Sequence, residues 1–183
     1  MEPIVVHVRL KADVYRKFVK FDAMFRTGRL KKVILFSLTM VLLSFLVSLI
    51  GGQALDNNFR PNGLLLVIAV FVPLVFVGDF MKTVRHQIRR LGLAKGAYIY
   101  SLWFTDVEEG ILAKNAEEER NYSWENVHAV YYAEQAIYLY VQKRHAFLLP
   151  LEQIEGGAEA LWVLIEGKVA TEKIFDQRKE KTN

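Results

Sequence analysis

Two long apolar runs without an ionisable residue stand close together in the chain, at Val33–Ile50 and Gly63–Gly78. The stretch between them, Gly51–Asn62, is polar and contains glycine and asparagine. At about 1.5 Å rise per residue, each run reaches across most or all of a hydrocarbon core about 30 Å thick. We therefore predict a transmembrane helical hairpin, which makes the chain an integral membrane protein.

A cleaved signal peptide and a buried soluble helix are the competing interpretations of the first run. A lead of 32 residues with its own periodicity precedes Val33 and is too long for the charged start of a signal peptide. The second, equally apolar run disfavours a buried soluble helix. The hairpin remains the better prediction.

Polar and proline residues inside the two runs allow more than one role. Ser37, Ser44 and Ser48 share one helical face, where small residues let a second helix approach closely. Bonding of the same hydroxyls to their own helix, with the serines facing lipid, is the alternative. Pro73 has no N–H for the carbonyl of Ala69, so a local kink is expected, of a kind that membrane helices tolerate.

Lysine and arginine flank the hairpin unevenly. Nine precede the first run, only Arg60 lies between the runs, and five follow closely after the second. By the positive-inside rule both chain ends are predicted in the cytoplasm, with the loop outside. Ordinary topology signalling explains these cations, but they are also candidate contacts for anionic lipid headgroups. The candidates are Arg26, Arg29, Lys31, Lys32, Lys82, Arg85, Arg89 and Arg90.

The segments next to the hairpin have regular patterns of their own. Ile4–Leu10 alternates like a β-strand, and Lys11–Arg29 has helical spacing with a phenylalanine-rich stripe. That basic amphipathic helix lies either on the inner leaflet or against the cytoplasmic domain, and the pattern does not decide between them. Asp79–Leu91 continues the second membrane helix as a stalk that ends near Gly92–Gly96.

The C-terminal part changes to short aromatic and β-branched runs broken about every ten residues. The predicted strands are Tyr98–Thr105, Gly110–Lys114, Glu118–Tyr122, His128–Ala133, Ile137–Gln142 and Ala146–Leu149. Alternation in the fifth run predicts a core side and a semi-exposed side with Tyr138 and Tyr140. A closing helix over Ala158–Phe175 covers the sheet with Leu161, Leu164 or Ile165, Val169 and Ile174.

These elements predict a membrane α+β protein with four parts. Residues 1–32 form the cytoplasmic strand and amphipathic helix, and residues 33–96 form the transmembrane hairpin with its basic stalk. Residues 97–176 form a small antiparallel sheet with a closing helix. Residues 177–183 are a charged tail.

Charge and composition exclude several classes of function. Residues 1–96 carry a balance of +10 and residues 97–183 a balance of −6, so no basic patch marks the soluble part as a nucleic-acid binder. The chain has no cysteine, which removes disulfides and thiolate chemistry. Its four histidines lack metal-ligand spacing, and no phosphate-binding glycine loop is present. Glu117–Glu119 and Asp79 suit solvated positions, so we expect no enzyme, cofactor or metal.

A long amphipathic lead, two membrane helices and a basic stalk are followed by Tyr122-Ser123-Trp124-Glu125-Asn126-Val127, the aromatic strand Ile137–Val141 and Ala146-Phe147-Leu148-Leu149-Pro150. Over nearly the whole chain, this arrangement resembles the YcxB-like family of bacterial membrane proteins. The resemblance implies residence in the bacterial inner membrane and a C-terminal domain like the pleckstrin-homology (PH) fold. In that domain Trp124 would act as a structural plug. Leu151 and Glu152 depart from the pattern, since a basic residue is frequent there. No activity comes with the resemblance.

Two hypotheses for the function follow. The first is a non-enzymatic interaction module, anchored by the hairpin, whose domain binds a protein partner, a further copy of the chain or lipid headgroups. The second is a membrane immunity or protective protein, which acts through the hairpin and its outer loop Gly51–Asn62.

Overall fold

The computed structural model describes residues 3–50, 60–107 and 110–180, with side chains up to residue 178. Residues 51–59 of the predicted outer loop lie outside this described part. The helices are α1 (Ala12–Phe21), α2 (Arg29–Ile50), α3 (Gly63–Arg90), α4 (Ala158–Lys168) and α5 (Gln177–Glu180). The strands are β1 (Ile4–Leu10), β2 (Ala97–Phe104), β3 (Ile111–Lys114), β4 (Glu119–Tyr122), β5 (Ala129–Tyr132), β6 (Ala136–Gln142), β7 (His145–Pro150) and β8 (Ile174–Asp176).

The chain divides into two compact units. The hairpin unit is Val19–Arg90, and the sheet unit joins Met1–Phe18 to Leu91–Asn183. The hairpin unit is therefore inserted between β1 and β2 in the sequence. The mixed α+β class predicted from the sequence is confirmed.

The hairpin unit contains both predicted apolar helices. Helices α2 and α3 have 22 and 28 residues, long enough to cross a bilayer. Only 11% and 6% of the residues in their apolar windows are buried, unlike a core helix of a soluble protein. The two helices are compatible with membrane spans, and α3 continues to Arg90 as the predicted stalk.

Serine hydroxyls join the two apolar helices. Ser37 donates a hydrogen bond to the carbonyl oxygen of Ala69 at 2.5 Å, and Ser44 donates to that of Asn62 at 2.9 Å. Ser48 bonds instead to the carbonyl of Ser44 in its own helix, at 3.1 Å. Ser44 and Ser48 are both buried. The serine face is thus the contact face between the helices, as the first of the two alternatives expected.

Four antiparallel strands form the first sheet of the sheet unit, in the order β1-β2-β3-β4. Its edge strand β1 comes from the N-terminus and pairs with β2 along its full length. A bulge between Val8 and Arg9 leaves main-chain groups that the Gln153 side chain satisfies, by bonding to both the N–H and the carbonyl of Arg9. Nothing in the local pattern of β1 indicates this pairing, because the partner strand lies about 90 residues away in sequence.

The second sheet has the order β7-β6-β5-β8. All six predicted C-terminal strands are present, and each bound agrees with the prediction within one residue. The predicted closing helix was too long, since α4 ends at Lys168 and Ile174–Asp176 pairs in parallel with β5. The ring of Phe175 stacks on Tyr131 at 4.8 Å, and Arg178 lies 3.7 Å over the Tyr132 ring. These tertiary contacts favour the strand over helical continuation.

Strand β6 is the centre of the core. The prediction that Tyr138 and Tyr140 are semi-exposed was wrong, since they are only 3% and 1% exposed. Phe18 of α1 packs against both rings, with its centre 5.1 Å from that of Tyr138. The N-terminal part of the amphipathic helix therefore lies on the sheet, which decides between the two placements for that part. Strand β6 is buried on both faces because α1 covers the second face.

Candidate functional site

A cleft of about 300 Å³ opens at one corner of the sheet unit. One wall is the inner face of β2, β3 and β4, and the other is the beginning of β7. Side chains alternate between the two faces of each strand. Ala113 of β3 and its cross-strand partner Arg120 of β4 therefore lie on the same face, which forms the first wall. The small side chain of Ala113 leaves the space that forms the cleft.

Aromatic rings line much of the cleft. The Phe147 ring is in contact with three others, its centre lying 5.1 Å from Tyr100, 5.5 Å from Tyr122 and 5.0 Å from His145. All three pairs are edge-to-face, a favourable arrangement for aromatic rings. The cleft thus has a rigid apolar wall that joins the two sheets.

The hydroxyl of Tyr100 holds β7 in place. It donates to the carbonyl of Leu148 at 3.2 Å and accepts from the N–H of the same residue at 2.7 Å. Burial raises the pKa of the Tyr100 hydroxyl above its usual value, so the group stays protonated and keeps both bonds. One side chain from the first sheet therefore satisfies the main chain of an edge strand in the second.

Trp124 comes just after β4, and its ring packs against Phe104 at the end of β2. The side chain is buried, and its indole N–H donates to the carbonyl of Thr105 at 3.0 Å. A Cβ atom at Gly110 would collide with the indole nitrogen and with the carbonyls of Thr105 and Val107. Ser123 caps the short turn by accepting from the N–H of Glu125 at 3.3 Å. This placement matches the plug that the family resemblance implied for Trp124.

Charged groups of both signs surround the mouth of the cleft. Lys114 pairs with Glu119 at 3.1 Å and Arg120 pairs with Glu118 at 2.8 Å. All four side chains are more than half exposed, so each pair contributes little to stability. Lys114, Glu118 and Arg120 line the cleft, so the two pairs set the local charge pattern of its mouth.

The cations predicted from the sequence lie in the hairpin unit, away from the cleft residues in sequence. Lys82, Arg85 and Arg89 are exposed on one face of α3, opposite the buried Val84 and Ile88. The stalk part of α3 is thus amphipathic, with these three cations together on one face.

The remaining predicted cations have varied surroundings. Arg26 is only 14% exposed and pairs with Asp22 at 3.2 Å. The Lys31 ammonium lies 5.5 Å from the centre of the Phe25 ring. Exposed positions are also taken by Arg29, Lys32 and Arg90. Arg26 is therefore the member of the predicted set least available to a ligand.

No group of three metal-ligating side chains occurs within residues 3–50, 60–107 and 110–178. Sequence reasoning did not find the cleft, because its two walls come from strands that pair in different sheets. The only local signal was the alternation that places Tyr122 and Phe147 on the inner faces of their strands.

Searches of curated proteins and of solved structures found no match. A family model, described as YcxB-like protein, matches residues 108–162. The matched segment runs from the approach to β3 into α4 and includes Trp124 and the β7 wall of the cleft. Over residues 108–162 it confirms the resemblance to the YcxB-like family that the sequence predicted.

Proposed function

We propose that the protein is a membrane-anchored, non-enzymatic interaction module whose sheet unit binds a protein partner. The observation that carries this proposal is the cleft between β4 and β7, with aromatic walls beside an edge strand. Exposed edge strands with adjacent pockets are a recurring means of peptide recognition. The hairpin would keep this surface at the membrane.

We further propose that the sheet unit is a PH-like domain interrupted by the hairpin. Four antiparallel strands, three more antiparallel strands and a closing helix follow one another in that order, as the family resemblance implies. Strand β8 is an addition at the edge of the second sheet. In this arrangement the hairpin occupies the connection between the first two strands.

The asymmetric distribution of charge supports an orientation with both termini in the cytoplasm of a bacterial inner membrane. Residues 1–32 hold nine of the cations, and the polar connection contributes only Arg60. The sheet unit, residues 1–18 and 91–183, carries 14 Lys and Arg against 17 Asp and Glu, a balance of −3. That balance favours a protein partner over an anionic headgroup as the ligand of the sheet unit.

Photocrosslinking in native membranes tests the proposal with the full chain. A photoreactive amino acid replaces Tyr122 in the cleft, and the matched control replaces Val163, which is 66% exposed on α4. We expect a discrete protein adduct from the cleft position only, and we expect Ala113→Leu, which fills the cleft, to abolish it. An adduct that forms equally from both positions, or that survives Ala113→Leu, contradicts the proposal.

Exchange of the hairpin separates the two functional hypotheses. Replacement of Val33–Ile50 and Gly63–Gly78 by unrelated apolar helices leaves the cleft adduct intact if the sheet unit is the binding module. Loss of the cleft adduct after the exchange, in a protein that still inserts, favours a protective protein acting through the membrane helices.

A further inference from the structure

The free edge of β4 carries a more specific inference, which rests on the proposed function. We infer that the partner adds an extended segment to β4 as an additional strand of the first sheet. The segment alternates large apolar side chains, which enter the cleft, with Lys or Arg side chains on the opposite face.

The main chain of β4 has hydrogen-bonding groups that point away from its neighbour β3. At the β3–β4 turn the N–H of Asn115 donates to the carbonyl of Glu118 at 2.9 Å, and the strands then pair residue by residue. Hydrogen-bonded and non-hydrogen-bonded pairs alternate in an antiparallel ladder. Arg120 therefore bonds to β3, whereas the N–H and carbonyl groups of Glu119 and Asn121 point away from it.

Nothing within the described part of the chain adds to this side of β4. The strand is the last in the order β1-β2-β3-β4, and its first three residues are exposed. The opposite edge of the same sheet differs, because the N–H of Glu155 donates to the carbonyl of Val5 on β1 at 3.1 Å. Residues after β7 thus protect one edge of the sheet, while the other edge presents a template for a strand.

The cleft lies beside this strand, since Arg120 and Tyr122 line it. Side chains of an added strand would alternate between the two faces of the sheet, so every second one would lie beside Arg120 and Tyr122. The rings of Tyr122 and Phe147 form an apolar wall there. A volume of about 300 Å³ suits one or two large side chains rather than a folded element. The cleft therefore favours apolar residues at alternate positions of the guest.

The charge beside β4 favours basic side chains on the outer face of the guest strand. The exposed side chain of Glu119 lies on the face of β4 opposite Arg120 and Tyr122, where the Lys or Arg side chains of the guest would lie. The sheet unit as a whole, residues 1–18 and 91–183, carries 14 Lys and Arg against 17 Asp and Glu, a balance of −3. A basic guest strand is complementary to this surface, whereas an acidic one is repelled.

A second copy of this chain is a less suitable guest. Antiparallel pairing of β4 with itself centred on Arg120 would place two arginines opposite each other. Centred on Glu119, the pairing would oppose two glutamates, and centred on Asn121 it would pair only residues 120–122, because Glu119 would then lie opposite Ser123, beyond the end of β4. Like charges at directly opposed positions are unfavourable in a sheet.

The test measures binding of a synthetic peptide to the full chain in lipid nanodiscs. The probe is a labelled peptide that alternates valine or phenylalanine with lysine, and fluorescence anisotropy reports its binding. One control peptide replaces each lysine with glutamate. A second control carries N-methyl groups on alternate residues, which removes the donors that an added strand needs and requires no change to the protein.

A matched pair of variants addresses the edge itself. Asn121→Pro removes the N–H that points away from β3, a position where an edge strand tolerates proline. Asn121→Ala keeps that N–H and removes only the side chain. We expect Asn121→Pro to weaken peptide binding roughly tenfold. The peptide loses one main-chain hydrogen bond, and the proline ring prevents its close approach to β4. Binding to Asn121→Ala should stay within about twofold of wild type.

Three results would overturn the inference: absent binding of the basic peptide to wild type, equal binding of the N-methylated peptide, or equal binding by the two variants. The photocrosslinking experiment fails in a different way. If the Tyr122 adduct persists in Asn121→Pro, the interaction module stands and strand addition is wrong. If wild type gives no adduct, the proposed function itself is wrong.

Discussion

Ser37→Ala is expected to destabilise the hairpin through one particular carbonyl group. In a regular helix the N–H of residue 73 would bond to the carbonyl of Ala69, but Pro73 has no N–H. The Ser37 hydroxyl donates to that same carbonyl at 2.5 Å. Ser37 on α2 therefore replaces the hydrogen bond that Pro73 removes from α3.

The magnitude follows from the surroundings of the carbonyl. Ala69 is 1% exposed, so its oxygen has no ready replacement by water. Hydrogen bonds between membrane helices contribute about 0.6 kcal/mol on average, with values up to about 1.7 kcal/mol. An acceptor left without a donor adds a desolvation cost, so we expect Ser37→Ala to cost about 1–2 kcal/mol.

A double-mutant cycle distinguishes this mechanism from a simple loss of packing. Pro73→Ala restores an N–H within α3, so the Ala69 carbonyl no longer needs the serine. In that background Ser37→Ala should cost less than about 0.5 kcal/mol, which gives a coupling energy near 1 kcal/mol. Ser48→Ala is a suitable control, because Ser48 bonds to the carbonyl of Ser44 within its own helix.

The assay is reversible unfolding of the full chain in bicelles with increasing dodecyl sulfate, followed by energy transfer between labels on α2 and α3. Single cysteines for labelling can be introduced cleanly because the chain contains none. An equal cost of Ser37→Ala with Pro73 and with Pro73→Ala would refute the reasoning, since the serine would then act independently of the proline.

Three further predictions concern the sheet unit and the stalk. Gly110→Ala should destabilise the sheet unit by about 2 kcal/mol or more, because the added Cβ meets Trp124 and two carbonyls. Gly167→Ala is the control: its Cβ lies in open space on α4, so it should stabilise the unit by about 0.5–1 kcal/mol. Thermal unfolding followed by tryptophan fluorescence measures both, and similar effects of the two would contradict the close packing at Gly110. Burial raises the pKa of Tyr138 from 10.0 to about 12, so unfolding releases its proton and stability falls as the pH rises from about 10 to 12. Tyr138→Phe should reduce that dependence by about 1.4 kcal/mol per pH unit, and an unchanged slope in denaturant titrations would show that Tyr138 does not titrate there. Replacement of Lys82, Arg85 and Arg89 by glutamine should lower the protein's preference for anionic over zwitterionic nanodisc lipid by about 1 kcal/mol per cation. The control variant combines Lys143→Gln with Arg144→Gln, and an equal loss of that preference in the control would exclude a specific role for the stalk.

Much of the chain follows from short-range patterns. The apolar runs are readable because each spans a full helix without a charge, and their periodicity depends only on neighbours in sequence. Strands β2 to β7 were predicted within one residue at each end, because alternating residues and turn residues mark them locally. The Pro73–Ala69 relation also follows from helix geometry alone.

Contacts between distant segments were decided by the tertiary structure. The pairing of β1 with β2 bridges about 90 residues, and no residue of either strand specifies the other. Helix α4 was expected to continue to Phe175, but stacking on Tyr131 and the position of Arg178 over Tyr132 favour a strand there. Tyr138 and Tyr140 alternate as a half-exposed strand would, yet Phe18 covers them.

The sequence by itself therefore determined the two apolar helices, the strand positions and the family resemblance, because each depends on residues close together along the chain. The tertiary structure alone decided which strands meet, which aromatic face is buried and where the cleft opens. The physical reason is that burial and strand pairing depend on surfaces supplied from elsewhere in the chain. A pattern of period two shows that a strand has two faces, and only the assembled sheets show what covers each of them.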